Sequence, residues 1–299
     1  MPGGAGSCRR SAACSSPSAC RIPRTSERCP SGRRGRPAKA LYGLKPVSRV
    51  RIPLSPPNNS AVSALSAEAT LSRMSRTGSE LFPLDPQIAQ RVVLLSGCSQ
   101  ANPGSRRRTT RDERFRLRQS IFDMGRACAA ELLADLGSGE TSVGMAADRS
   151  PVWPQGYVGS ITHTDDLLGV AVARSKDFRS IGIDAEAIIE PETTVEIDDL
   201  YMNERERSLR HSVEISHQTF SSLCFSAKES FFKCLYPLTG VWFDFQDAEI
   251  AGFDANLQLL QMRLLRDLDS GFRQGQVFGG TFRWTDRRVY TAFTLPSQC

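Results

Sequence analysis

Three short segments contain the residues whose side chains could take part in binding or catalysis. They are Gly159–His163 (GSITH), Gly182–Glu186 (GIDAE) and Phe225–Lys233 (FSAKESFFK). Together they contain three carboxylates, one histidine and two lysines. Carboxylate oxygens are the ligands that hard divalent cations such as Mg²⁺ prefer, and lysine ammonium groups act as point charges on phosphate oxygens. The set therefore suits a divalent metal that holds a phosphate-bearing substrate.

Asp184 and Glu186 stand two positions apart in a predicted strand. Because successive side chains of a strand point to opposite faces, both carboxylates project from the same face. Two like charges on one face repel each other, and a cation between them removes that repulsion. Taken alone, however, the pair is explained more simply as a solvated strand end that enters a loop.

The third segment has an equally plain structural interpretation. Ser226 and Glu229 are spaced as in a capping box, which marks the start of a helix. Glu229 and Lys233 are spaced as an ordinary helix-surface ion pair. Lys228 and Lys233 could be surface lysines whose stems cover apolar atoms, or a pair of charges for a pyrophosphate. From this segment alone, capping is the simpler role for Glu229, and a lone histidine such as His163 is usually structural.

The conjunction of the three segments, in this order and at these separations, points further. It resembles the Sfp/EntD-type (enterobactin synthetase component D-like) 4'-phosphopantetheinyl transferases, and the resemblance runs roughly over residues 80–295. Enzymes of this family move the phosphopantetheine arm of coenzyme A onto a serine of an acyl or peptidyl carrier protein. The resemblance therefore implies a Mg²⁺-dependent transferase with coenzyme A as co-substrate and 3',5'-ADP as product.

The resemblance also implies roles for individual residues. It makes Asp184, Glu186 and Glu229 the Mg²⁺ ligands, and it makes Glu229 the group that takes the proton from the attacking serine. The implied catalytic set is Glu229, Asp184, Lys233 and His163. Attack on the β-phosphorus spreads charge over phosphoryl oxygens, so such catalysis consists mostly of positioning and electrostatic stabilisation.

Further residues are implied as ligands of coenzyme A. His163 resembles the family's ligand of a coenzyme A phosphate, with Ser160 and Thr162 as nearby hydroxyl donors. Lys228 and Lys233 are then the charges on the pyrophosphate.

Three arginines complete this implied set. The segment 122–129 resembles the family pattern Phe-x-x-Gly-Arg-x-x-Ala, which makes Arg126 a ligand. Arg118 matches a basic residue that the family carries about one turn before the Phe. Arg149 matches a basic residue before Trp-Pro, although the preceding stretch 144–147 departs from the family's basic, Gly-rich pattern.

The elements that must position these residues indicate an α+β fold. Residues 111–136 form the strongest predicted helix, with apolar residues at helical spacing and Gly137 as its cap. A second helix is predicted over 219–235, ending before Pro237. Other segments are predicted as helical (81–93 and 196–210) or as strands (167–173, 181–186, 241–250, 258–264, 276–284 and 288–293). The family resemblance implies two similar halves, 80–190 and 191–299, each with a long helix packed on a small antiparallel sheet.

Residues 1–79 differ in composition from the rest of the chain. Residues 1–60 carry twelve Lys or Arg but one acid, Glu27, so the chain's net charge of +6 leaves about −5 for residues 61–299. A segment rich in Arg, Ser and Pro buries too little apolar area to offset its ordering entropy. It is predicted to be a disordered basic leader, with a transit-like segment or a start site downstream, for example at Met74, as the alternatives.

Several function classes compete with the transferase. Nine cysteines without a CxxC pair argue against a zinc site and fit free thiols in a reducing, cytoplasmic setting. Neither GxxxxGK[ST] nor GxGxxG occurs, which weakens the alternative of another Mg²⁺-dependent phosphate-transfer enzyme. A nucleic-acid binder that uses the basic leader would need aromatic side chains for base stacking, and the leader has few. No membrane association, no nucleic acid and a monomer are expected.

The expected protein partner is acidic. The family resemblance implies carrier domains of siderophore, nonribosomal peptide, polyketide or fatty-acid synthases. Such carriers are acidic near the modified serine, so the Arg-rich stretch 106–118 is expected to steer their approach.

Overall fold

The computed structural model describes residues 82–95, 110–269 and 271–297, without the side chains of 111, 113, 114, 192, 193 and 195–197. The predicted leader and Arg106–Arg108 lie outside these residues. No helix in the described ranges is both long and apolar enough to cross a bilayer.

The first half contains a three-stranded antiparallel sheet. It is formed by β1 (Ala89–Leu94), β4 (Tyr157–His163) and β5 (Leu167–Arg174), with β5 in the middle. A separate two-stranded ribbon pairs β2 (Gly144–Met145) with β3 (Pro151–Val152). Helix α1 (Arg111–Asp135) packs on the sheet through Ile121, Cys128 and Leu132, which meet alternate residues of β5.

The second half contains a five-stranded antiparallel sheet. Its strand order is β6 (Phe178–Ala187), β10 (Arg288–Pro296), β9 (Val277–Trp284), β8 (Leu259–Leu264) and β7 (Ala248–Asp254). Three helices belong to this half: α2 (Pro191–Tyr201), α3 (Glu204–Arg210) and α4 (His217–Thr239). A single 3₁₀ turn, Phe245–Asp247, precedes β7.

Side-chain alternation explains how the two sheets stack. Along β6, Ile181, Ile183 and Ala185 lie in a buried cluster with residues of β1 and β5. The alternate residues of β6 therefore face α4. The described residues thus form the layers α1, first sheet, second sheet and α4, which is the α+β architecture of two helix-on-sheet halves that the sequence predicts.

The ends of the two long helices have clear local causes. Helix α1 ends at Gly137, whose φ of 78° is the left-handed conformation that favours glycine. Helix α4 begins after Ser216, whose side chain accepts a hydrogen bond from the Thr219 amide. It ends at Gly240 with φ of 62°, so the prediction that it ends before Pro237 is wrong by one turn. Pro237 lies in the last turn of this helix, where it lacks the amide that would donate to the carbonyl four residues earlier.

One further prediction, the helix over 81–93, is wrong. Residues 82–88 form a loop with a turn at 86–87 and β1 begins at Ala89, because β1 pairs with β5 along its whole length. The segment Gly159–His163 is part of strand β4, paired with β5. Strand β6 belongs to the second sheet through β10, so the chain changes sheet between β5 and β6, before residue 190. The domain boundary itself stays a prediction.

The closest approach of helix and sheet lies at Gly182 in β6. A Cβ atom there would lie 1.9 Å from the Ser230 carbonyl oxygen and 2.5 Å from the Cys234 amide nitrogen. Both are backbone atoms of α4, so no side-chain rotation can relieve the overlap. The glycine allows α4 to lie directly on the strand.

We expect Gly182→Ala to lower the free energy of unfolding by roughly 3 kcal/mol or more, as overpacking against a rigid backbone does. Chemical denaturation measures this loss. Gly279→Ala in β9 is the matched control, because a Cβ atom there meets no atom within 4 Å. A Gly182→Ala protein as stable as the Gly279→Ala protein would contradict the tight approach of α4 and β6.

Candidate active site

The contact between α4 and β6 brings two of the predicted site residues together. Lys233 Nζ donates a hydrogen bond to Asp184 Oδ1 at 2.6 Å. Asp184 is 2% exposed, whereas a quarter of the Lys233 side chain reaches solvent. The pair therefore joins a buried carboxylate to a partly exposed lysine.

All three predicted carboxylates act on Lys233. Burial alone lowers the pKa of Lys233, but the charges of Asp184, Glu229 and Glu186, together with the hydrogen bond to Asp184, outweigh burial and raise it above 10.5. Lys233 therefore stays protonated through the neutral range, and its contribution to stability is lost only as the pH rises through this elevated pKa. Asp184, Glu186 and Glu229 are thus all near enough to act on the charge of Lys233, and the roles predicted for these residues stay predictions.

Two hydroxyls of β4 lie beneath this cluster. Thr162 Oγ1 donates to Asp184 Oδ1 at 2.8 Å and lies 3.1 Å from Lys233 Nζ, which donates to it. Ser160 Oγ accepts a hydrogen bond from the Ile183 amide at 3.1 Å. Both residues are buried, so these hydroxyls join β4 to β6 and orient Asp184. Their predicted role as direct donors to coenzyme A is not the one that this geometry shows.

Lys228 is the clearest correction to the predicted site. Its side chain is 2% exposed, and its ammonium group donates to Glu206 Oε2 at 2.8 Å and to the carbonyl oxygens of Tyr201 (2.6 Å) and Phe245 (2.8 Å). Lys233 Nζ also has three acceptors in the protein, so exposure is what separates the two lysines: 2% of the Lys228 side chain is exposed, against 26% of the Lys233 side chain. Five residues along a helix correspond to about 140° of rotation, so Lys228 and Lys233 lie on different faces of α4. Lys228 is a core residue, neither a pyrophosphate ligand nor a surface lysine.

The capping interpretation of Ser226 and Glu229 is also wrong. Helix α4 starts nine residues before Ser226, so Ser226 lies in the helix interior. Its hydroxyl bonds with Thr291 Oγ1 at 2.9 Å, and Ser230 bonds with the same atom at 2.8 Å. Thr291 is the cross-strand neighbour of Asp184. These hydroxyls therefore fix the register of α4 against β6 and β10, and with it the position of Glu229.

The α1 side of the molecule carries two more predicted ligands. Arg126 stacks on Phe122, with 4.9 Å from the guanidinium carbon to the ring centre, and burial lowers its pKa. Its Nη1 atom is buried without a hydrogen-bond partner among the described residues. His163 ends β4 on the same face as Ile161, which packs against the α1 cluster. Arg126 thus offers an unused donor of the kind that binds an anion.

The other two predicted arginines are exposed. Arg118 lies on the first three turns of α1, where residues 115–120 are all solvent-exposed. Arg149 lies at the tip of the β2–β3 ribbon and has φ of 73°. The structure does not place either side chain against the Asp184–Lys233 cluster.

Comparison with known proteins identifies the family of this chain. Residues 114–173 match a family model described as the 4'-phosphopantetheinyl transferase N-terminal domain, and residues 180–280 match that of the 4'-phosphopantetheinyl transferase superfamily. Together these ranges include more than half of the chain. The chain belongs to the 4'-phosphopantetheinyl transferases of the Sfp/EntD type.

Individual relatives are similar to part of the chain. The chain is 37% identical over 136 residues to 4'-phosphopantetheinyl transferase Npt of Nocardia iowensis, which is 44% of this chain and 59% of that protein. It is 40% identical over 134 residues to 4'-phosphopantetheinyl transferase Svp of Streptomyces mobaraensis, 44% of this chain and 53% of that protein. Enterobactin synthase component D of Salmonella typhimurium is 32% identical over 118 residues, 40% of this chain and 48% of that protein. The match thus spans about half the length of each relative.

The surroundings of the Asp184 oxygen atoms indicate whether the predicted site could hold a metal ion. Asp184 Oδ2 is buried and has no hydrogen-bond partner among the described residues, which is costly unless another ligand satisfies it. Within the described ranges, no three His, Cys, Asp or Glu side chains form a ready-made metal cage. Mg²⁺ commonly takes only one or two carboxylates, with substrate phosphates and water completing its shell. The residues therefore fit Mg²⁺ bound together with substrate, and the three-ligand set stays a prediction.

Sequence reasoning missed two groups of side chains in the second half. Aromatic side chains flank Lys233: Phe232 stacks on Tyr236 with 5.0 Å between ring centres and 19° between planes, and Trp242, which follows the end of α4, packs on Phe232 at 4.7 Å. Their i, i+4 spacing was a usable signal. Asp198 in α2 accepts hydrogen bonds from Arg210 at 3.0 Å and from Ser221, and lies 2.6 Å from His217 Nε2. No local pattern signals that cluster, because its members come from three helices.

Proposed function

We propose that this protein transfers the 4'-phosphopantetheine group of coenzyme A to a serine of an acyl or peptidyl carrier protein. The observation that carries the proposal is the ion pair of Lys233 with the buried Asp184, with Glu186 and Glu229 near enough to act on the same lysine, in a chain of the phosphopantetheinyl transferase family. In the reaction, the serine oxygen bonds to the β-phosphorus of coenzyme A. The bond from that phosphorus to the bridging oxygen breaks, and 3',5'-ADP leaves.

The protein groups have separate tasks in this scheme. Glu229 takes the proton of the attacking serine, and a well-placed general base contributes roughly 10²–10⁴-fold to such a step. Lys233, protonated at neutral pH, neutralises charge on the pyrophosphate. Thr162 and Ser160 hold Asp184 and β6 in place from below. Arg126 and His163 bind coenzyme A phosphates from the α1 side.

Mg²⁺ is part of the proposal. Asp184, Glu186 and Glu229 would hold it, and the bound ion would supply Lewis-acid stabilisation of the pyrophosphate oxygens. The unsatisfied Asp184 Oδ2 supports this assignment.

The partner and the setting are also proposals. We infer an acidic carrier domain, of a siderophore, nonribosomal peptide, polyketide or fatty-acid synthase, and a cytoplasmic monomer. The name enterobactin synthase component D, which the relative from Salmonella typhimurium carries, supports a siderophore pathway among these.

Mass spectrometry of a carrier protein incubated with the enzyme, coenzyme A and Mg²⁺ tests the proposed function. We expect the carrier to gain one phosphopantetheine, with release of 3',5'-ADP. EDTA should abolish the gain and excess Mg²⁺ should restore it. A carrier whose acceptor serine is changed to alanine is the control and should stay unmodified. Transfer that persists in EDTA would remove the metal from the scheme, and cleavage of coenzyme A without carrier modification would favour another phosphate-transfer reaction.

A further inference from the structure

The β2–β3 ribbon is a small element that depends on outside contacts. It pairs only Gly144 with Val152 and Met145 with Pro151. Isolated two-stranded hairpins are marginally stable in water, so other parts of the protein must hold this one. At its base, Trp153 packs against Gly159, where a Cβ atom would lie 2.6 Å from the indole ring. The base is therefore fixed to β4 in the first half.

The tip of the ribbon is fixed to the second half through Asp148. One carboxylate oxygen, Oδ1, accepts hydrogen bonds from the Ser150 amide (3.0 Å) and hydroxyl (2.7 Å). The other, Oδ2, accepts a hydrogen bond from the Tyr236 hydroxyl at 2.5 Å. The hydrogen bonds from Tyr236 and Ser150 lower the pKa of Asp148, so the carboxylate stays ionised at neutral pH. The bond joins two residues that are 88 positions apart.

Arg149 occupies the tip in an uncommon conformation. Its φ of 73° lies in the left-handed region, which non-glycine residues rarely adopt. Its amide donates to the Ala146 carbonyl oxygen at 2.8 Å, and its side chain is exposed. Outliers of this kind persist only where the surrounding structure determines them, and they concentrate at binding sites. The guanidinium group is thus presented to solvent from a tightly defined turn.

Tyr236 is itself held rigidly, close to the candidate active site. Its ring stacks on Phe232 and packs edge-on against Trp242 at 6.3 Å. It follows Lys233 by three positions on α4, so the two side chains lie on the same side of the helix, one turn apart. Asp148, bonded to Tyr236, and Arg149 beside it therefore lie at the end of α4 that carries Lys233.

We propose that Tyr236 is a positioning residue which, by binding Asp148, holds the ribbon tip so that Arg149 is ready to bind a phosphate of coenzyme A. The inference rests on the proposed function, because it assumes coenzyme A as the ligand. The Tyr236–Asp148 hydrogen bond is solvent-exposed and adds little to the free energy of unfolding. Its effect is to hold the ribbon tip in the conformation that binds the ligand. Without it, the ribbon moves independently of α4, and ordering Arg149 becomes part of the cost of binding.

Titration calorimetry with coenzyme A tests the inference directly. Tyr236→Phe keeps the ring stack and removes only the hydroxyl donor. We expect its Kd for coenzyme A to rise about three- to tenfold, with the thermal midpoint unchanged. The turnover number for a carrier protein should stay within about twofold at saturating coenzyme A, because no group at the Asp184–Lys233 cluster changes.

A double-mutant cycle shows whether Tyr236 acts through Arg149. Arg149→Ala should weaken coenzyme A binding, and adding Tyr236→Phe to it should have no further effect. Tyr157→Phe is the matched control, since it also removes a tyrosine hydroxyl that bridges two elements, bonded to the Leu136 carbonyl oxygen at 3.3 Å. It should bind coenzyme A as the wild type does.

Each outcome decides between the two proposals. An unchanged Kd in Tyr236→Phe, or additive effects in the double variant, overturns the positioning role. A wild type that binds coenzyme A, with the expected pattern among the variants, but that never modifies a carrier leaves the positioning role standing and refutes the transfer. A wild type that binds no coenzyme A refutes both.

Discussion

We expect that replacing Asp184 by asparagine lowers the rate of carrier modification by roughly 10³-fold or more, while the protein stays folded. The side chain keeps its size and its hydrogen bond from Thr162, so the contact of β4 with β6 survives. What is lost is the negative charge that anchors Lys233 and the free oxygen Oδ2 available to a cation. Initial rates of phosphopantetheine transfer, measured by mass spectrometry across a Mg²⁺ titration, check this.

Asp184→Ala should be equally inactive but less stable. Removal of the carboxylate leaves the Thr162 hydroxyl and part of the Lys233 charge without their buried acceptor, which costs stability in its own right. Asp286→Asn, an exposed carboxylate in the turn between β9 and β10, controls for a general charge effect and should be fully active. A folded Asp184→Asn enzyme with normal turnover at saturating Mg²⁺ would be incompatible with the proposed site.

Two short-range regularities of the sequence predict which residues of the candidate site share a face. Strand alternation places Asp184 and Glu186 on one face, and helix spacing places Glu229 and Lys233 on one face. That these two faces meet in the folded protein was predicted from the family resemblance alone. The structure shows its physical basis at Gly182, where the absence of a side chain lets the backbone of α4 touch the strand.

The predictions that failed depended on partners far away along the chain. Ser226 and Glu229 have capping-box spacing, but the true helix start is decided at Ser216, and Ser226 instead bonds with Thr291, 65 positions later. The segment 81–93 has a helix-like pattern, but pairing with β5 overrides that local preference. A pattern within ten residues cannot reveal such partners.

Lys228, in the predicted site, is another residue whose partners a local sequence pattern cannot reveal. Its neighbour Glu229 and its family resemblance both favour a role at the pyrophosphate, while its actual acceptors lie in α2, α3 and the 3₁₀ turn. Burial of a lysine is expected only when it is paired, and its partner Glu206 is 22 positions upstream. The structure therefore assigns Lys228 to the stability of the second half, and a substitution there separates the two roles.

Lys228→Met should destabilise the protein by about 3–5 kcal/mol, because it leaves a fully buried carboxylate without its counter-charge. Glu206 is completely buried, and without Lys228 it keeps only the Asn203 and Ile250 amides and the Cys224 thiol as donors. Denaturant unfolding measures the loss. Lys176→Met, at an exposed turn between β5 and β6, is the control and should unfold like the wild type.

The double variant Lys228→Met/Glu206→Leu tests whether the loss comes from the unpaired charge. Replacing a buried ion pair by apolar residues of similar volume is often neutral, so the double variant should regain a large part of the stability. At a temperature where Lys228→Met is folded, its affinity for coenzyme A should equal that of the wild type within about twofold, since all three ammonium donors point into the core. If Lys228→Met instead bound coenzyme A at least tenfold more weakly while keeping wild-type stability, Lys228 would be the phosphate ligand that the sequence pattern predicts, and its inward contacts would belong to a conformation that substrate displaces.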